Sequence, residues 1–309
     1  RAEYANLGSA RRNDNLNWRV ETYQLGSEAA VREEILQTCD RAQAGEILIF
    51  PEYAAYTAEE AERTLDALIK KAQDRRLTIV TTLNLDGALL PHSKPDHRYN
   101  ALTLITPRGE LHVPAAKVTP QSFEMVQYSE RFPKINVTPY DFIRRVTLSQ
   151  GDETRTCVFS ICSDLYPLLF GGPAFTDLQA DIGIFPGNFG RGAELAARRV
   201  IGRLRTAGVF TETIFANPAQ LTKKPGQLPV VLPAKDYDAR TTPAIPLTDA
   251  ERIQLFRENV LFYVDETVEH FVAMAALTPM HNGRFTMPMS LIDVSPTLEY
   301  TETRIDLNP

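Results

Sequence analysis

One rhythm constrains this chain more than any other feature. Short β-branched and aromatic runs, each closed by a turn residue, alternate with longer segments whose apolar residues recur at helical spacing. Segments 46–50, 77–83, 182–185 and 209–216 read as buried strands. Gly45 and Pro51 bracket the first, and Asn217-Pro218 closes the last. Between them lie amphipathic segments. In one, running to about Ala44, Ser27 is the N-cap candidate, Glu28 sits in the first turn, and Val31, Ile35, Cys39 and Ala42 share a face. That placement makes Cys39 a core residue. A second covers 58–75, with Ala61, Leu65, Leu68 and Ile69 apolar, and an arginine-rich third covers 194–206. Strands alternating with helices predict an α/β layered fold. Two hairpins interrupt the alternation, one turning at Pro107-Arg108-Gly109 and one at Gly151-Asp152, so the sheets are expected to be partly antiparallel.

Further strands are expected at 18–25, 270–277, 285–294 and 298–307, and a short helix around 175–180. Residues 1–16 read as a polar tail or linker, and 17–309 as one domain. Within it, 219–284 breaks the rhythm. Lys223, Lys224, Pro225, Gly226, Pro229, Pro233, Pro243 and Pro246 mark an extended excursion, before Thr248 and Glu251 form a capping-box pattern.

Composition narrows the function. The chain of 309 residues is 43% hydrophobic and carries a net charge of −6, which speaks against a nucleic-acid surface or an anionic membrane as partner. No apolar run approaches a membrane span. The first residues, Arg1-Ala2-Glu3-Tyr4, include neither an initiator methionine nor an apolar signal core, so a processed or excised chain is expected. Three cysteines do not form a disulfide framework, and reduced thiols in a cytoplasmic setting are the simpler expectation. The five histidines lack metal-ligand spacing, and no metal or cofactor is expected.

Three residues stand at strand ends, where α/β folds place their chemistry. Glu52 follows 46–50, Lys117 follows the first hairpin, and Cys162 ends the run from Thr156 to Ile161. Taken singly, each has a plain structural reading: a loop carboxylate, a surface charge, a small buried hydrophobe. Taken together, the order and contexts resemble the carbon–nitrogen hydrolase (nitrilase) superfamily. Ile47-Leu-Ile-Phe-Pro-Glu52-Tyr53 resembles its general-base motif. Tyr99-Asn100-Ala101 and Pro107-Arg-Gly109-Glu110, leading to Lys117, resemble its lysine hairpin. Val158-Phe-Ser-Ile-Cys162-Ser-Asp164-Leu-Tyr-Pro167 resembles its nucleophile strand. The resemblance runs from about Trp18 to Asn217 and resumes weakly at Ser290.

That resemblance implies an α-β-β-α sandwich of two mixed sheets with flanking helices. It implies that Cys162 is the nucleophile, Glu52 the general base and Lys117 the oxyanion stabiliser, aided by the Ser163 backbone N–H. A second glutamate orients the lysine, and the context Tyr128-Ser129-Glu130-Arg131-Phe132 selects Glu130, with Glu124 as the alternative. The implied activity is a thiol amidohydrolase cleaving a non-peptide C–N bond of a small amide, carbamoyl compound or nitrile through an acyl-cysteine, without cofactor. Acyl transfer to an amine shares that intermediate. A homodimer or higher homo-oligomer is implied, through residues near 165–180 and 194–206. Such domains also occur fused to other activities, including some bacterial reverse transcriptases of phage defence, so a module acting mainly in oligomerisation or regulation is the alternative. Three departures stand out: Ser163 in place of an aromatic residue after the nucleophile, Val118-Thr119-Pro120 after the lysine, and the long 219–284 segment.

Overall fold

Ile47, Leu48 and Ile49 are all fully buried, which is why this stretch reads as an unbroken apolar run: each of its two faces meets a different core. The computed structural model describes residues 10–11, 16–21, 23, 27–120, 124, 137–165, 178–188, 197, 201, 204, 208–218 and 297–308. Their strands form two mixed sheets. The first, six-stranded, runs in sequence order: β1 (Ala10–Arg11), β2 (Trp18–Val20), β3 (Ile47–Ile49), β4 (Thr78–Asp86), β5 (Arg98–Ile105) and β6 (Leu111–Ala116). β2, β3 and β4 are mutually parallel, whereas β4, β5 and β6 form an antiparallel meander.

The second sheet has the order β10-β9-β8-β7-β11. It is built from β7 (Phe142–Gln150), β8 (Glu153–Phe159), β9 (Ala180–Pro186), β10 (Phe210–Ala216) and β11 (Thr297–Asp306). Only the β7–β8 hairpin in it is antiparallel.

The sheets pack face to face. Trp18, Ile47, Ile49, Val80, Leu102 and Leu104 of the first sheet share one cluster with Val146, Leu148, Cys157, Phe159 and Ile305 of the second. The alternate residues of the first sheet, Leu48, Ile79, Ala101 and Ile105, point the other way. They are covered by α1 (Glu28–Arg41) and α2 (Ala58–Arg75), the crossovers that parallel β2, β3 and β4 require. Ile35 and Cys39 of α1, and Leu68 and Ala72 of α2, supply that cover. On the second sheet, the helical positions Ala197, Ile201 and Leu204 are buried in the cluster that holds Phe185 and Phe210. The expected α/β class, two mixed sheets and flanking helices are therefore what the described residues form.

Local signals act as the sequence suggests. The Ser27 side chain accepts from the Ala30 N–H at 3.3 Å and caps α1. Glu28 reaches further: its carboxylate accepts from the Tyr56 and Thr57 N–H groups at 2.5 and 2.8 Å, tying α1 to the start of α2. Gly109 takes φ +81 in the β5–β6 turn, a backbone conformation that favours glycine.

Several boundaries differ from expectation. β1 pairs antiparallel with β2 and Leu16 is buried, so ordered structure begins inside the 1–16 segment read as a tail. The first long strand stops at Val20, short of Leu25. β4 continues to Asp86 because its antiparallel register with β5 runs from Ile79↔Ile105 to Asp86↔Arg98. Ala180, expected to end a helix, begins β9. The 219–284 segment, the strands expected at 270–277 and 285–294, and the arginines of the 194–206 helix (Arg198, Arg199, Arg203, Arg205) lie outside the described residues.

Candidate active site

Three chain segments end against one another where the sheets meet. Glu52 follows β3, Lys117 follows β6, and Cys162 follows β8. Glu52 is held from both sheets: its N–H donates to the Gly187 carbonyl just past β9, at 3.1 Å, and its own carbonyl accepts from the buried Tyr23 hydroxyl. The Lys117 N–H donates to the Asn100 carbonyl on β5 at 2.9 Å, which fixes where the side chain leaves the sheet.

The side chains converge. Lys117 Nζ lies 2.6 Å from Glu52 Oε1 and 2.9 Å from Glu124 Oε2. Asn100 Nδ2 donates to Glu52 Oε1 at 2.8 Å and to Glu124 Oε1 at 3.1 Å, bridging the two carboxylates. The Tyr53 hydroxyl also donates to Glu124, and the Tyr53 ring centroid lies 5.6 Å from Lys117 Nζ. The Glu52 carboxylate, the Lys117 ammonium and the Asn188 backbone N–H all lie near enough to Cys162 to act on its charge. Glu52, Lys117 and Glu124 are at most 1% exposed, so this is a water-poor cluster.

Burial this deep sets the protonation chemistry. It pushes the Cys162 thiol well above the ordinary cysteine range, and the Glu52 carboxylate pushes the same way, while Lys117 and the Asn188 N–H pull it back in part. The resting sulfur is therefore a thiol, with the Glu52 carboxylate close enough to act on its charge. For Lys117, burial alone would lower the pKa, but the net shift is upward, with the negative charge of Glu52 the largest opposing cause. The lysine stays an ammonium. Thiol, facing base and fixed positive charge are the parts needed to form a sulfur–carbon bond and hold the oxyanion it creates.

Of the four non-glycine residues with positive φ among the described residues, two lie in this site: Cys162 at +51 and Tyr53, next to Glu52, at +68. Side chains rarely adopt this backbone conformation, and it persists only where the surroundings impose it. At Tyr53 the Thr82 hydroxyl accepts the backbone N–H at 2.7 Å. At Cys162 the short 3-10 turn Cys162–Asp164 does the holding. There Asp164 accepts from the Val118 and Thr119 N–H groups, and Ser163 donates to the Thr119 carbonyl at 2.6 Å. Ser163 thus grips Thr119, and Asp164 grips Val118 and Thr119, across the site.

The structure brings Glu52, Lys117 and Cys162 together. Glu130 lies outside the described residues, and the carboxylate placed on Lys117 is Glu124, the alternative left open above. Sequence reasoning gave no role to Asn100, Tyr53 or Asp164, though each sits inside a motif that it quoted. The available signal was position: Tyr53 directly follows the base, Asn100 is a buried amide within an apolar strand, and Asp164 lies two residues after Cys162 in the same turn. Cys39 and Cys157 are core residues; burial raises the Cys39 thiol to about 12 and raises the Cys157 thiol as well. Among the described residues, no group of three or more His, Cys, Asp or Glu could hold a metal, and no helix is long and apolar enough to cross a membrane.

No family model matches the chain, and no curated protein matches it. Solved structures resemble it distantly. An amidase from Nesterenkonia sp. is 19% identical over 68% of this chain and 78% of its own, with a TM-score of 0.47. A carbon–nitrogen hydrolase from Helicobacter pylori is 13% identical over 67% and 75%, with a TM-score of 0.47. A CN-hydrolase superfamily protein from Xanthomonas campestris is 14% identical over 65% and 74%, with a TM-score of 0.45. What the site can do follows from its own groups.

Proposed function

We propose that this protein is a thiol amidohydrolase acting on a non-peptide C–N bond of a small amide, carbamoyl compound or nitrile. One observation carries the reading: the buried Glu52 carboxylate adds to burial in raising the Cys162 thiol and also holds the buried ammonium of Lys117 at 2.6 Å, so thiol, carboxylate and ammonium share one site. A merely structural cysteine has no use for a base, and a merely structural ion pair has no use for a thiol.

With an amide, Cys162 Sγ adds to the carbonyl carbon as its proton passes to Glu52. The oxyanion forms beside Lys117. Glu52 then gives that proton to the leaving nitrogen, the C–N bond breaks, and ammonia or an amine departs. A thioester remains on Cys162. Water attacks it as Glu52 takes a proton, and collapse returns the thiol and a carboxylic acid. Glu124, 2.9 Å from Lys117 Nζ, keeps a carboxylate beside the ammonium while Glu52 is twice protonated and twice deprotonated.

Intact-protein mass spectrometry after brief incubation with a panel of small amides and nitriles, wild type against Cys162→Ala, tests this. An acyl adduct on the wild type alone identifies the nucleophile, and its mass identifies the acyl half of the substrate. No adduct with any compound, together with Cys162 alkylated no faster than Cys39, would remove the proposal.

A further inference from the structure

Asp164 is a buried carboxylate that the chemistry above does not use. It is 2% exposed, and its two oxygens serve two different turns. Oδ1 accepts from the Val118 N–H at 3.0 Å, the Thr119 N–H at 2.7 Å and the Thr119 hydroxyl at 2.9 Å. Oδ2 accepts from the Ile161 N–H at 3.3 Å. The first set belongs to the turn directly after Lys117, and the last belongs to the residue directly before Cys162. One side chain therefore spans from the lysine's turn to the nucleophile's turn, and these turns come from different sheets.

We propose that Asp164 is a positioning residue that fixes the spacing between Cys162 and Lys117, so that sulfur and ammonium address the same atoms of a bound acyl group. The proposal deepens the amidohydrolase reading and rests on it. The two sheets meet here through apolar side chains, which resist separation but specify relative shift poorly, because dispersion is non-directional. Four hydrogen bonds to one carboxylate do specify it. The backbone at Cys162, held at φ +51, has its turn closed by the same residue, whose N–H donates to the Ile161 carbonyl at 3.0 Å.

The arrangement carries a folding penalty that marks it as more than a brace. Burial pushes the Asp164 carboxyl up to about 6, against the pull of Lys117 and of the Thr119 and Val118 donors. A group whose folded-state pKa is raised gives its full contribution to stability below its unfolded value and loses it as pH rises through the folded one. At pH 8 the ionised carboxylate therefore opposes folding, relative to a neutral group of the same shape. Asp164→Asn is that group. It keeps an oxygen for Val118 and Thr119 but turns an NH₂ toward the Ile161 N–H.

The test compares wild type, Asp164→Asn, Thr119→Val and the double variant by melting temperature at pH 8, by kcat and KM, and by the rate of Cys162 alkylation with iodoacetamide. Asp164→Asn is expected to melt no lower than the wild type. Its kcat is expected to fall by about tenfold to a hundredfold, the scale of a misplacement near 1 Å, with KM changed much less. Thr119→Val removes one donor to Oδ1 from the opposite turn, and its effect on kcat should be less than multiplicative with Asp164→Asn. A structural brace predicts the contrary: melting temperature and activity fall together. Unchanged kcat and alkylation in Asp164→Asn, or losses matching its unfolded fraction, overturn the proposal. The alkylation comparison needs no substrate. A protein that hydrolyses nothing in the panel would remove the amidohydrolase reading, yet a changed or unchanged alkylation rate would still decide for or against Asp164.

Discussion

Replacing Lys117 by Met removes the one ammonium at hydrogen-bonding distance from both Glu52 and Glu124, 2.6 and 2.9 Å away. Methionine fills nearly the same volume, so the perturbation is mainly one of charge. Breaking a buried ion pair by deleting one partner costs about 3–5 kcal/mol, because the remaining charge is stranded. Here two carboxylates lose the cation they share and keep the bridging Asn100 amide, with the Tyr53 hydroxyl on Glu124. They relieve the strain by binding a proton, so in the variant at least one of them has a pKa raised above its unfolded value of about 4.3. Such a group keeps its stability contribution below the unfolded value and loses it as pH rises through the raised one. The deficit of Lys117→Met is therefore small near pH 5 and full by pH 8. For a chain of this size, an unfolding entropy of about 2.1 cal/mol/K per residue turns 3–5 kcal/mol into a melting-temperature gap of roughly 5–8 °C.

The assay is thermal unfolding by circular dichroism at pH 5, 6, 7 and 8, wild type beside Lys117→Met. Adding Glu124→Gln to the variant deletes one stranded charge and should recover part of the gap at pH 8 and little at pH 5. Hydrolysis should drop by about 10²–10³-fold, the scale of losing one oxyanion donor. A gap that does not depend on pH would refute the reasoning. It would mean that Glu52 and Glu124 are not held ionised by Lys117, and the charge logic of the site would fall with it.

Other consequences are simpler. Glu52→Gln should abolish hydrolysis by at least about 10²-fold, as expected for loss of a general base. Because burial and then Glu52 raise the Cys162 thiol, the same variant should alkylate faster at pH 8; slower alkylation would mean that the carboxylate does not face the sulfur. Gly183→Ala on β9 would put a methyl group 2.8 Å from the rings of Phe185 and Phe210, and should cost about 1–3 kcal/mol by overpacking, read as a lowered denaturation midpoint in urea.

Strand ends made most of this site legible. Glu52 and Cys162 follow apolar runs that bury both faces or nearly so, and Lys117 follows a hairpin whose turn is written in Pro107-Arg108-Gly109. Taken singly, each still has a plain structural reading; their order and local contexts, which resemble one family's motifs, are what single them out for chemistry. The second carboxylate lacked that anchor. Glu124 and Glu130 both lie in an irregular stretch with no periodicity to orient either one, and local context favoured Glu130. Glu130 lies outside the described residues, while Glu124 meets partners from separate strands: Lys117 after β6, Asn100 on β5 and Tyr53 after β3. No spacing in the sequence reports a convergence of that kind.

Asp164 escaped notice for a different reason. A carboxylate after a strand, in a turn, is by default solvated, and nothing in Cys162-Ser163-Asp164 says that its partners lie at Val118 and Thr119. Its burial requires those donors, and the donors require that Val118 and Thr119 not continue β6. The Val118-Thr119-Pro120 departure is therefore coupled to the nucleophile turn: Pro120 has no N–H and stops a strand from continuing, leaving two backbone donors free to meet one carboxylate. The pair forms one device written in two distant parts of the sequence, and its logic is visible only once the sheets have packed.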